Sequence, residues 1–66
     1  MAVAKVIEIT AESPESFEAA IAEGVKRAAK TVNNIQSAWV KEQQVRVDGT
    51  KVTAFRVTLK VTFLLD

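Results

Sequence analysis

Residues Val52–Leu65 read VTAFRVTLKVTFLL, and the alternation along this stretch decides the fold. Successive side chains of a strand point to opposite faces. Phe55, Val57, Leu59, Val61, Phe63 and Leu65 therefore share one face, which is apolar throughout. Val52, Ala54, Arg56, Thr58, Lys60, Thr62 and Leu64 share the other, which mixes charge, threonine and aliphatics. The first reads as a core face. A chain this small has nothing of its own left to cover the second, so a partner or ligand is expected there.

Working outward, Asp48-Gly49 is a strong hairpin signal. It joins the long strand to a preceding one over Gln36–Val47 (QSAWVKEQQVRV). Ala2–Thr10 (AVAKVIEIT) is rich in Val and Ile and reads as a further strand. Ser13-Pro14 offers a helix cap followed by proline at the first helical position, and Ser16 is a second candidate cap. Phe17, Ile21, Ala28, Val32 and Ile35 then recur at helical spacings, with Ala20, Gly24 and Val25 widening the stripe. This predicts an amphipathic helix of about twenty residues ending near Asn33-Asn34. Glu12, Glu15, Glu18 and Glu23 precede Lys26, Arg27 and Lys30, the order a helix macrodipole favours. Glycine inside a helix costs about 1 kcal/mol relative to alanine, so Gly24 implies close approach to a strand or a neighbouring copy.

The expected fold is α+β: a β-α-β-β unit whose three-stranded antiparallel sheet, in order 1-3-2, wraps around one helix. The last strand spans roughly 46 Å at about 3.3 Å per residue, and the helix roughly 30 Å at about 1.5 Å per residue. Such a sheet must curl around its helix or carry its ends into neighbouring copies. Both sheet edges are unpaired, a liability unless other chains cover them.

Size and composition point the same way. The 66 residues are expected to form one domain, 1–66. A chain of this length buries only about 60% of its unfolded surface. The sequence contains neither Cys nor His, which removes disulfides and the usual zinc ligands and leaves oligomerisation as the compensation. Nine basic and eight acidic residues give a net charge of +1, no signature of a nucleic-acid or membrane partner. With no leader pattern and no long apolar run, a cytoplasmic location is the expectation. Catalysis finds little purchase without Cys, His or Tyr, a glycine-rich phosphate loop or a nucleophile elbow. Lys5 is the one candidate for a desolvated base, and an ion-pair partner is the plainer reading of a strand lysine.

KVIEI in the first strand, SPESFEAAI at the helix start and AAKT at its end lead into EQ, the DG turn and VTLKVTF. In this order within so short a chain, the set resembles the dodecin family. The resemblance implies a hollow homo-dodecamer, non-enzymatic, that binds or stores a small planar ligand, with riboflavin or FMN stacked between aromatic side chains. It also places the ligand contacts. Ser37 stands where the stacking tryptophan is usual, Arg56 where a glutamine is, and Gln44 and Leu64 where arginines are. Losing the stacking aromatic removes about 1 kcal/mol or more beyond area burial.

Three candidate features follow from the residues. Trp39 is the only tryptophan. It lies two residues from Ser37, so on an unbulged strand both project from one face about 7 Å apart. It reads as a displaced stacking platform or as an aromatic that fills a subunit interface. Lys41, Arg46, Arg56 and Lys60 form a basic stripe suited to phosphate, with salt bridges across subunit contacts the plainer use. Glu8, Glu12, Glu15, Glu42, Asp48 and Asp66 are carboxylates that symmetry axes would multiply into a Ca²⁺ or Mg²⁺ site. This gives the alternative to a planar ligand: a structural or calcium-binding dodecamer with no organic ligand, its metal position unassigned.

Overall fold

The computed structural model describes residues 2–65. The chain runs β1 (Ala4–Ser13), α1 (Phe17–Ala28), β2 (Ile35–Asp48) and β3 (Lys51–Leu64). The three strands form one antiparallel sheet in the order β1-β3-β2. Expected topology and strand order are both present.

The alternation of β3 becomes two different environments. Val57, Leu59 and Val61 are fully buried and join Ala20 of the helix in the core. Ile7, Ile9 and Ala11 of β1 and Phe17, Ile21 and Val25 of α1 pack around them. The Phe17 and Phe55 rings meet edge to face at 5.1 Å and close one end of this layer.

The helix is shorter than its apolar periodicity predicts. Ser16 is the N-cap, its backbone extended and its hydroxyl accepting from the Ala19 amide at 3.0 Å. Ser13, the other candidate, is the last residue of β1, and its hydroxyl accepts from the Glu15 amide. Pro14 is therefore a loop residue. Glu12 and Glu15 also lie outside the helix, leaving Glu18 to complement its first turn and Lys26 and Arg27 its last. After Ala28 the chain tightens, with Lys30 bonding the Arg27 carbonyl and Thr31 and Val32 that of Ala28. Asn34 then takes a left-handed conformation, φ 62°, just before β2 begins at Ile35. Ile35 had continued the helical stripe in sequence; it reaches the same core from a strand instead.

Gly24 has the close approach that its cost implies, and the neighbour is a strand. A Cβ built there would lie 3.0 Å from the Ala11 Cβ and 3.1 Å from Leu59 Cδ1.

The helix packs on β1 and β3, while β2 is exposed along its whole length beyond Ile35. With β3 it forms a long arm, and the molecule measures 51 × 19 × 14 Å. Its radius of gyration is 13.5 Å, against about 10.8 Å for a compact chain of this length. Its accessible surface is 4817 Å², against about 4,100 Å² for a compact monomer of this mass.

Candidate functional site: the outer face of the sheet

Residues directly opposite in an antiparallel pair point to the same side of the sheet. Thr58, Lys60 and Thr62 alternate with the core residues of β3 and so face away from the helix. Ser37 pairs with Thr62, Trp39 with Lys60, Glu42 with Thr58 and Gln44 with Arg56. Leu64 pairs with Ala4 on the other side. All five sequence-derived ligand positions therefore stand on the outer face. A register shift between Val40 and Glu42 makes room for Lys41 without disturbing this parity on either side.

They do not converge on one point. Ser37 and Trp39 share one end, with Trp39 half exposed. Gln44 and Arg56 face each other four residues further along β3, roughly 13 Å away. Leu64 lies two residues beyond Thr62, the partner of Ser37, and so at the Ser37 end, roughly 27 Å from Arg56. Within one copy this is a surface strip rather than a pocket.

The basic stripe is paired inside the chain. Glu8 takes Lys41 at 3.2 Å and Lys60 at 4.0 Å. Glu12 takes Arg56 at 3.1 Å and Arg46 at 3.7 Å. Arg56 brings both Nε and Nη2 to the same Glu12 oxygen at 3.1 Å. Each β1 carboxylate thus reaches across β3 to β2, and the pairs that the sequence suggested between subunits tie three strands of one subunit together. Half-exposed pairs of this kind contribute about 0–1 kcal/mol each. Their sequence separations, 33 and 44 residues for the hydrogen-bonded ones, depend on a register that no local motif encodes.

Donors for a cation are scattered. Among the described residues no three carboxylates gather closely enough to hold an ion. Glu8 and Glu12 are committed to ion pairs, Glu15 sits in the β1–α1 loop and Asp48 ends β2 at the hairpin turn. Asp66 lies outside the described residues. Lys5 is exposed on β1.

One feature had no sequence signal. A cleft of about 560 Å³ opens between β1 and the C-terminal half of α1, floored by Ile9, Ala11 and Gly24 and rimmed by Glu23, Arg27 and Lys30. No helix among the described residues is long and apolar enough to cross a membrane.

Comparison with known proteins places this geometry. The family model described as Dodecin matches residues 3–66. A calcium dodecin of Mycobacterium tuberculosis is 44% identical over 63 residues, spanning 96% of this chain and 89% of that protein. A solved calcium dodecin from that organism, described as calcium-chelating with a novel calcium-binding site, is 43% identical with a TM-score of 0.84, covering 97% of this chain and 91% of the other. A dodecin from Streptomyces davaonensis is 32% identical with a TM-score of 0.94, covering 98% and 96%. In sequence the chain is nearer the calcium dodecin, and in backbone nearer the Streptomyces protein.

Proposed function

We propose that this chain, which belongs to the dodecin family, is a non-enzymatic homo-dodecamer that holds a small ligand, and that calcium rather than flavin is that ligand. The observation that carries the reading is the 44% identity to a calcium dodecin across 96% of the chain. The changed contact set supports it. Ser37 removes the stacking aromatic, and Gln44 and Leu64 remove two guanidinium groups from the strip where the resemblance places flavin. Assembly is supported by the exposed β2 arm and by a surface about 700 Å² larger than a compact monomer needs. That excess approaches the roughly 800 Å² per partner of a standard interface.

The test is a thermal unfolding series at fixed protein concentration with calcium, magnesium, riboflavin and FMN. A ligand that binds the native state alone raises the midpoint as its concentration exceeds Kd. The reading expects a rise with calcium and no quenching of flavin fluorescence by the protein. A flavin-dependent rise without a calcium effect overturns it.

A second reading rests on Trp39, half exposed on the outer face directly opposite Lys60. A planar anionic molecule would stack on the indole with its charge toward the lysine. Quenching of Trp39 fluorescence by FMN favours this reading, and indifference removes it.

A further inference from the structure

We propose that the cleft between β1 and the C-terminal half of α1 is a separate ligand site, and that it takes a small monocarboxylate with an apolar body. The proposal stands apart from the readings above. The cleft lies on the helix side of the sheet, whereas the strip that carries Ser37, Trp39 and Arg56 faces away from the helix.

The floor is apolar because of where four residues point. Ile9 and Ala11, two apart on β1, share its core side and pack against the buried cluster. Gly24 and Ala28, four apart on α1, are buried on one face of the helix. Ile9 and Ala11 nevertheless stay only part-buried although the helix packs on their strand, and both line the cleft. The opening of about 560 Å³ is the size of a small-molecule site, about 300–1,000 Å³ of mostly apolar lining with a few placed polar groups.

The rim supplies those polar groups and sets the charge of the occupant. Arg27 and Lys30 are exposed there, and neither has an ion pair among the described residues. Of the two rim carboxylates, Glu12 is already taken by Arg56 at 3.1 Å and Arg46 at 3.7 Å. Glu23 alone is uncommitted among the described residues. Two uncommitted cations face one uncommitted carboxylate, and a single negative charge balances the excess. The end of the helix does not oppose an anion, because the carbonyls of Val25, Arg27 and Ala28 already accept from the amides that follow. A carboxylate head suits Arg27, whose fork can take both oxygens, while Lys30 adds a point charge. Glu23 repels a second negative charge, so a phosphate monoester fits less well. The body of the molecule then lies along the floor, with its head at the solvent edge.

Calorimetric titration of the assembled protein with phenylacetate, indole-3-acetate and octanoate, each beside its neutral amide, tests this. At least one acid is expected to bind saturably, and its amide about tenfold more weakly or worse. Arg27→Gln combined with Lys30→Gln should weaken that acid by about tenfold or more, since a charge-assisted pair is lost. Lys26→Gln removes the same charge from the same last turn but outside the lining, and should leave the affinity unchanged. Glu23→Gln removes the opposing charge and should tighten the acid about twofold. This last variant gives an answer even where the double variant fails to fold. Absence of saturable binding by all three acids overturns the proposal. So does an amide that binds as well as its acid, a double variant of unchanged affinity, an equal loss on Lys26→Gln, or weaker binding on Glu23→Gln.

Discussion

The two flanks of β3 both place apolar side chains on its core side and have opposite fates. On the β1 side, Ile7, Ile9 and Ala11 meet a helix and close a core in which Val57, Leu59 and Val61 are wholly buried. On the β2 side, Ala38, Val40 and Val45 project toward the same side of the sheet but lie outside the helix's cover. Val40 and Val45 stay 39% and 40% exposed. The difference is one of reach. Twelve helical residues cover about 18 Å, and β3 runs well past them. One flank is finished by the chain, and on the proposed reading further copies cover the other.

Substitutions on the two flanks should separate these roles. Leu59→Ala removes a fully buried side chain and is expected to cost about 2–5 kcal/mol of stability, read by denaturant unfolding. A loss under about 1 kcal/mol would mean that the β1 flank is not the finished core. On the arm, Val45→Ala deletes a side chain that the isolated copy leaves 40% exposed. With about 40% of the side chain left to bury, at about 1.5 kcal/mol for a fully buried valine, it should raise the dissociation concentration about threefold and leave the circular dichroism of the assembled protein unchanged. Light scattering across a dilution series reads this, and an unchanged dissociation concentration would remove the arm from the interface.

Gly24→Ala sharpens the comparison from the finished side. The added methyl meets the Ala11 Cβ at 3.0 Å, a contact on a side chain too short to yield. Overpacking of about 1–3 kcal/mol should outweigh the helix gain of about 1 kcal/mol, for a net loss of about 1 kcal/mol. Smallest is Glu12→Gln, which removes the centre of the Arg46 and Arg56 pairs. An exposed network of this kind should contribute less than about 1 kcal/mol, and the difference should shrink in high salt. A larger, salt-independent loss would show that these pairs are buried by another copy.

What was legible in the sequence was whatever a period or a turn encodes. The alternation of β3 assigned its two faces, and Asp48-Gly49 fixed the hairpin and hence the strand order. Helix length was not legible, because Val32 and Ile35 continue the 3.6-residue stripe although the chain has already turned at Asn34. The cap was ambiguous between two serines, and only the paired end of β1 decides for Ser16. On the outer face, parity put Ser37 and Trp39 together correctly. The pairing of Gln44 with Arg56, and the reach of Glu8 and Glu12 across three strands, depend on register shifts in β2 that leave no local mark. The cleft beside Gly24 was hidden for a different reason: its lining from β1 and the C-terminal half of α1 comes together only once the helix packs on the sheet.

The central claim is that this chain completes its fold by assembly. The most direct measurement is native mass by light scattering over a wide dilution range, with the unfolding midpoint recorded at each concentration. The expected result is twelve chains of 7.2 kDa per particle, with a midpoint that falls as the particle is diluted toward dissociation. A folded species of 7.2 kDa whose midpoint is independent of concentration would contradict it.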